Sequence, residues 1–167
     1  AAKKALADGH TGYCPGAGIP ELRAAIARDV GLKRGLSYSA ENVSIQPGGK
    51  PVIGKFISTV MNPGDEVLYP NPGYPIYESQ IEYQNGIAIP YGYTETEKGF
   101  TLDIEAMESR ISDKTTALIY NNYQNPNGAQ STREEMEKVA ELALKHDLWV
   151  LADDAYYEIQ YGGSPIS

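Results

Sequence analysis

The sequence predicts an α/β fold of three layers, in which helices cover both faces of a mostly parallel sheet. Short apolar segments with β-branched and aromatic residues alternate with longer amphipathic segments, which is typical of strands joined by crossover helices. The segment 148–152 is a continuous apolar run that ends in two carboxylates, Asp153 and Asp154. Such a run indicates a buried parallel strand. With 167 residues the chain is long enough for one domain with its own core.

The predicted elements follow one another with few gaps. Pro20 and Glu21 suit the first turn of a helix, Asp103 suits a helix N-cap, and Thr132 with Glu135 has the spacing of a capping box. The predicted helices cover 20 to about 31 or 35, 51–61, 76–83, 104–111 and 132–146. The predicted strands cover 42–46, 66–69, 86–90, 115–120 and 148–152, with an excursion or hairpin at 91–100.

Four predicted strands each run into a loop with distinctive chemistry. These loops lie at 48–50, 71–74, 121–128 and 153–156. In open α/β sheets, ligands bind beyond the carboxyl ends of the strands, so we expect one site at this edge. A carboxylate at the end of a buried strand costs free energy unless a cation pairs with it, so we expect Asp153 to face a cationic ligand.

The composition excludes several classes of function. The formal charge is −8, from 14 Lys+Arg against 22 Asp+Glu, which argues against nucleic acid and against a membrane surface as partners. Cys14 is the one cysteine, so no internal disulfide is possible and a reducing, cytoplasmic location is expected. We expect no metal site. Judging from both of its ends, we expect the sequence to be a piece of a longer protein.

The turn Gly48-Gly49-Lys50 has three interpretations. It is either an ordinary tight turn or an anion site, because it lies between a predicted strand and the start of a helix. The third is a P-loop, since Gly49 and the pair Gly54-Lys55 have that spacing. Phe56 stands where a P-loop has the Ser or Thr that binds magnesium, which disfavours this interpretation.

Five motifs in order give a stronger signal than any one of them. They are Tyr13-Cys14-Pro15-Gly16-Ala17-Gly18-Ile19-Pro20-Glu21-Leu22-Arg23, Gly48-Gly49-Lys50, Asn71-Pro72-Gly73-Tyr74-Pro75, Asn125-Pro126-Asn127-Gly128 and Asp153-Asp154-Ala155-Tyr156. In these motifs the chain resembles the fold-type-I pyridoxal-phosphate (PLP) enzymes, specifically the class I and II aminotransferases related to aspartate aminotransferase. The resemblance covers residues 1–167 and implies a single, incomplete domain, the large PLP-binding domain.

The resemblance implies a role for each motif. Asp153 would pair with the protonated pyridine nitrogen of PLP, and Tyr77 would be its supporting partner. Asn125 and Tyr156 would bond the cofactor's 3-oxygen, and Tyr74 would stack on its ring. The remaining cofactor-binding residues serve the phosphate, and they are Gly48, Gly49, Lys50 and, reaching from the neighbouring subunit of a homodimer, Tyr13. The bonds Asn71-Pro72 and Asn125-Pro126 match positions that are cis in the family.

The chain also departs from the family pattern. Asn127 replaces the usual threonine of the loop, and Tyr123 replaces a frequent proline. The family's Schiff-base lysine and two arginines, one for the phosphate and one for the substrate carboxylate, lie beyond residue 167, the second in the small C-terminal domain. The chain is therefore expected to contain no catalytic residue and to be inactive alone.

The implied activity is transfer of an amino group between an amino acid and a 2-oxo acid. Two other functions stay open on the sequence. One is a different reaction on the same fold, such as a carbon–sulfur lyase or a decarboxylase. The other is a PLP- or amine-sensing domain of a transcriptional regulator. A third possibility is a fragment that folds but has no catalytic or sensing function.

Overall fold

The computed structural model describes residues 1–97, 99–163 and 165–167, and the chain divides into two compact units. The first unit, Ala1–Gly48, contains α1 (Ala2–Ala7), α2 (Pro20–Arg34) and a 3-10 helix (Ala40–Asn42). Of the two predicted ends for α2 the second is right, because Gly35 adopts the left-handed conformation (φ 64°) and its N–H caps the carbonyl of Gly31.

The second unit, Gly49–Ser167, contains the sheet and the remaining helices. The strands are β1 (Glu66–Pro70), β2 (Ile87–Tyr91), β3 (Tyr93–Thr96), β4 (Gly99–Leu102), β5 (Thr115–Asn121) and β6 (Trp149–Asp153). The helices are α3 (Gly49–Val60), α4 (Ile76–Tyr83), α5 (Ile104–Glu108) and α6 (Arg133–Lys145). Four strands pair in parallel in the order β2–β1–β5–β6, while β3 and β4 form a separate antiparallel hairpin.

Two apolar clusters cover the two faces of the sheet. On one face Ile57 of α3 and Ile81 of α4 pack with Val67 and Ile119 of the strands. On the other face Met107 of α5 and Leu142 of α6 pack with Leu68 and Leu118. Successive strand residues point to opposite faces, so neighbours such as Val67 and Leu68 serve different clusters. The predicted three-layer α/β/α arrangement is therefore confirmed.

Local signals placed several element boundaries well. The α4 bounds match the prediction, and α6 begins after Thr132 with the predicted capping box, in which Thr132 Oγ1 accepts from Glu135 N and the Glu135 carboxylate accepts from Thr132 N. The Asp103 carboxylate accepts from Ala106 N at 2.9 Å and caps α5. The hairpin β3–β4 occupies the expected excursion.

The predicted strand at 42–46 is wrong. Residues 43–46 are extended, but they belong to no sheet. The N–H of Ile45 donates to the carbonyl of Ala17 at 2.8 Å, and the Ile45 side chain lies against the backbone of Gly18. The β-branched composition therefore produces an extended segment paired with a loop, because in the described part of the unit no strand lies alongside it.

The expectation of a buried strand at 148–152 is only partly met. The strand exists as β6, but Trp149 is 63% exposed and Val150 is 39% exposed. The reason is its place in the sheet: β6 is an edge strand that pairs with β5 on one side. Among the described residues, no helix is long and apolar enough to cross a membrane.

Candidate functional site

Three loops with polar side chains meet at the carboxyl ends of neighbouring strands. The loop 71–75 follows β1, the loop 122–128 follows β5, and residues 154–156 follow β6. Because β1, β5 and β6 are adjacent and parallel, these loops lie at one edge of the sheet. After β1 the chain adds β2 on one side of that strand and then returns to add β5 on its other side. Open α/β sheets bind their ligands at such a switch point in the strand order, here between β1 and β5. The expected clustering of these three loops is confirmed.

Asp153 is the last residue of β6 and accepts two hydrogen bonds. The hydroxyl of Tyr77 donates to Asp153 Oδ2 at 2.7 Å, and the backbone N–H of Ala155 donates to Oδ1 at 3.1 Å. Within the described ranges, no lysine, arginine or histidine forms an ion pair with this carboxylate. The carboxylate is half-buried, so its negative charge is available to a cationic ligand at the site edge.

The hydrophobic core holds the ring of Tyr77 in place. Its ring is 1% exposed and belongs to the cluster between the sheet and α3–α4. Burial, followed by the hydrogen bond to Asp153 and the charge of that carboxylate, raises the pKa of Tyr77 far above its usual value. The phenol therefore stays protonated and acts as a donor to Asp153 throughout the physiological range.

Asn121 connects Asp153 to the loop after β5. Its Nδ2 donates to the backbone carbonyl of Asp153 at 2.9 Å, and its Oδ1 accepts from the N–H of Asn125 at 3.0 Å. Asn121 is 4% exposed, and both of its bonds are at least partly buried. One buried amide thus fixes the distance between the backbones of two candidate ligand residues.

Asn125 and Tyr156 line the same open pocket, which has a volume of about 670 Å³. Its other lining groups include Tyr123, Gln124 and Gln130. The pocket therefore presents uncharged amide and phenol groups, which donate and accept hydrogen bonds without carrying charge. The structure brings Asn125, Tyr156 and Asp153 to one edge of the sheet, as expected from the sequence.

Tyr74 lies in the loop after β1, and its ring packs beside that of Tyr77 in α4. The two rings meet edge to face, with centroids 5.8 Å apart and planes at 86°. This T-shaped contact is a favourable aromatic geometry and holds the half-buried Tyr74 ring against the fixed Tyr77 ring.

The backbone of both proline loops is sharply bent. The bonds Asn71-Pro72 and Asn125-Pro126 are both cis, which confirms the expectation. At Gly73 an added Cβ would lie 1.9 Å from the carbonyl oxygen of Pro70. Only glycine fits this close approach.

Tyr13 and Gly48 belong to the first unit, and Gly49 and Lys50 belong to the second. In the first unit, Gly48 has φ 100° and Tyr13 is fully exposed. In the second unit, Gly49 and Lys50 are the first two residues of α3 and are exposed. The free N–H groups of a helix start are a general anion site.

Several residues that build this edge were missed from the sequence. Asn121, Asn122 and Gln124 are 4%, 1% and 2% exposed, and their side chains bond to backbone groups of distant segments. The sequence predicts a polar loop at 121–128, and of its amide residues it assigns a binding role to Asn125 alone. Its unusual amide content was the signal that could have revealed buried bonding.

The chain matches known proteins along its whole length. The family model described as aminotransferase class I and II matches residues 1–167. An aspartate/prephenate aminotransferase of Thermus thermophilus is 36% identical over 167 residues, which is 100% of this chain and 43% of the relative. An aspartate aminotransferase of a Bacillus strain is 31% identical over 98% of this chain and 42% of the relative.

Solved structures give the same result. The alanine aminotransferase of Pyrococcus furiosus superposes with a TM-score of 0.94 at 30% identity, covering 99% of this chain and 42% of that protein. A double mutant of the Thermus thermophilus aspartate aminotransferase superposes with a TM-score of 0.94 at 34% identity, covering 99% and 43%. The chain thus spans about 43% of the length of the relatives it matches.

Proposed function

Because this chain belongs to the class I and II aminotransferase family, we propose that it forms the cofactor-binding part of a PLP-dependent aminotransferase. The reaction would transfer an amino group between an amino acid and a 2-oxo acid. Relatives along its whole length are named as aminotransferases, and this supports the enzyme over a regulator that senses PLP. The family match covers residues 1–167, which supports treating them as one cofactor-binding domain.

The single observation that carries this proposal is the environment of Asp153. Its carboxylate bonds to Tyr77 and to the N–H of Ala155, and among the described residues it has no cationic partner. A half-buried carboxylate of this kind is stabilised by a cation, and the protonated pyridine nitrogen of PLP supplies one. The donor set at this edge therefore fits the cofactor.

The other residues fit the rest of the cofactor. Asn125 and Tyr156 line one pocket and have the amide and phenol donors that a phenolate oxygen accepts. Tyr74 offers a ring face for stacking, held by its contact with Tyr77. The backbone N–H groups of the turn Gly48-Gly49-Lys50 suit the phosphate, and Tyr13 would reach the phosphate of a second subunit.

The chemistry divides between the cofactor and these residues. When bound, PLP supplies an electron sink for the negative charge that develops at the substrate's α-carbon. Asp153 would keep a proton on the pyridine nitrogen, and Tyr77 would hold that carboxylate in place through its hydrogen bond. Donors at the 3-oxygen stabilise its anionic form. We assign no residue of this chain to the proton transfer at the α-carbon or to the covalent bond with the cofactor.

The remaining attributes are also proposals. The substrates are an amino acid and a 2-oxo acid, with no nucleic acid or membrane partner. The exposed Tyr13 favours a homodimer, and the composition with its one cysteine favours the cytoplasm.

The test measures PLP binding by the full-length protein that carries this sequence. We expect saturable binding, followed by an absorbance titration, and at least about tenfold weaker binding by Asp153→Asn, equivalent to about 1.4 kcal/mol. The matched control is Asp154→Asn, which removes the neighbouring carboxylate and should change the affinity less than about twofold. Equal losses in both variants, or no binding by the unaltered protein, would overturn the proposal.

A second measurement locates the covalent bond. Borohydride reduction of the PLP-bound protein, followed by peptide mapping, should give one adduct that lies outside residues 1–167. A stoichiometric adduct on Lys50 or Lys55 would show that the catalytic lysine lies within this chain and would require the site to be redrawn.

A further inference from the structure

The buried residue Gln124 makes two side-chain bonds that no proposed cofactor contact accounts for. Its Nε2 donates to the carbonyl oxygen of Pro72 at 2.6 Å, and its Oε1 accepts from the N–H of Asn127 at 3.0 Å. The residue is 2% exposed. The first bond joins residues 52 positions apart in the chain, so it connects two separate loops.

The main chain of Gln124 is fixed independently of its side chain. Its N–H donates to the carbonyl of Ala129 at 2.9 Å, and its carbonyl accepts from the N–H of Gly128 at 2.8 Å. The loop 122–128 therefore has its own internal bonds, and α4 and β1 flank the loop 71–75. The bond to Pro72 joins this internally bonded loop to the loop 71–75.

The residues next to this bond are the ones that would contact the cofactor ring. Tyr74 lies two residues after Pro72, and Asn125 follows Gln124 directly. A stacking ring approaches a planar ligand from its face, whereas a donor to a ring oxygen approaches in its plane. Their relative position decides whether both contacts form at once, and productive geometry requires such groups to be held within about 0.5 Å.

We propose that Gln124 is a positioning residue that couples the loop of Tyr74 to the loop of Asn125, so that both engage the ring of PLP together. This inference rests on the proposed function for its consequence in cofactor binding, but the coupling between the loops exists without cofactor. The two statements can therefore be tested separately.

Two variants separate the two bonds of the side chain. Gln124→Glu has the same shape and, in its ionised form, keeps an acceptor for Asn127 N–H but loses the donor to Pro72. Gln124→Met removes both bonds with little change in volume. The matched control is Gln84→Met. Gln84 lies seven residues after Tyr77 and is half-buried, and its Nε2 donates to the carbonyl of Gly54 at 3.1 Å.

The first readout is amide hydrogen exchange of the full-length protein without PLP. Both Gln124 variants should raise the exchange rate at Asn71 and Tyr77 by about tenfold, the equivalent of one neutral hydrogen bond, and Gln84→Met should not. The N–H groups of Asn71 and Tyr77 are the suitable probes because they donate to the carbonyls of Tyr91 and Tyr74 at the two ends of the loop 71–75. Unchanged exchange at Asn71 and Tyr77 in Gln124→Met would overturn the coupling, whether or not the protein binds PLP.

The second readout is the bound cofactor itself. Both Gln124 variants should weaken PLP binding about tenfold and shift the pH midpoint of the absorption band of bound PLP, because the donors to the 3-oxygen are displaced. A merely structural role would lower the melting temperature and leave that pH midpoint unchanged, and this result would overturn the positioning role. Loss of PLP binding by the unaltered protein would instead refute the proposed function, while the exchange measurement would still decide the coupling.

Discussion

Replacing Tyr77 with phenylalanine removes one hydroxyl and leaves the buried ring in place. The hydroxyl donates to Asp153 Oδ2 at 2.7 Å, and a hydrogen bond to a charged group contributes about 1.5–3 kcal/mol. Water reaches the half-buried carboxylate and replaces part of the lost bond, so the lower end of that range applies. We expect Tyr77→Phe to lower the free energy of unfolding by about 1.5 kcal/mol.

The assay is a double-mutant cycle with Asp153→Ala, measured by urea denaturation without cofactor at neutral pH. In the Asp153→Ala background the hydroxyl has lost its acceptor, so Tyr77→Phe should cost close to nothing there. The expected coupling energy is therefore about 1.5 kcal/mol. An equal cost of Tyr77→Phe in both backgrounds would refute the assignment of this bond.

A matched pair gives the control for that cycle. The hydroxyl of Tyr91 donates to the carbonyl of Ile119 at 2.8 Å, and its ring belongs to the cluster on the opposite face of the sheet. Tyr91→Phe and Asp153→Ala should therefore be additive within about 0.5 kcal/mol. Coupling of similar size in this pair would show that the cycle reports general destabilisation.

Three further predictions concern stability. Gly73→Ala should lower the free energy of unfolding by at least about 3 kcal/mol, because the added Cβ would lie 1.9 Å from Pro70 O. The control Gly92→Ala should be tolerated, because the nearest atom to its Cβ lies 3.9 Å away. Equal melting temperatures of the two variants would contradict this prediction. Burial raises the pKa of Tyr120 to about 12, so the folded state keeps its proton above pH 10 while the unfolded state loses it. Tyr120 should therefore contribute up to about 1.4 kcal/mol per pH unit to the fall in stability from about pH 10 to 12. Tyr120→Phe should make that fall shallower, and an unchanged slope would refute the assignment. Thr132→Ala should cost about 1 kcal/mol by removing the cap of α6, and restoration by Thr132→Ser would identify the cap as the cause.

The sequence predicted those features whose cause is local. The capping box at Thr132, the bounds of α4 and the polar loops after β1, β5 and β6 all follow from signals within a few residues. The two cis bonds were expected from the family resemblance alone.

The failures have a common physical reason. The sequence correctly predicts an extended backbone at 149–152 and 43–46, but exposure and sheet membership depend on which strands lie alongside. The bond of Gln124 to Pro72 depends in the same way on two loops meeting in three dimensions. Partners of this kind are distant in the sequence, so the local pattern of residue types cannot predict them.

The same long-range bonds determine when the candidate site forms during synthesis. Tyr77 meets Asp153 across 76 residues and Gln124 meets Pro72 across 52, so neither bond can form until the later partner has been translated. At about 5–20 residues per second, the ribosome needs roughly 4–15 s to progress from Tyr77 to Asp153. Within that interval α4, β2 and β5 are translated, and these elements contribute to the cluster that buries the ring of Tyr77. The growing chain therefore contains every strand beside Tyr77 before it contains the acceptor of the Tyr77 hydroxyl, and the candidate site is among the last parts of residues 1–167 to be completed.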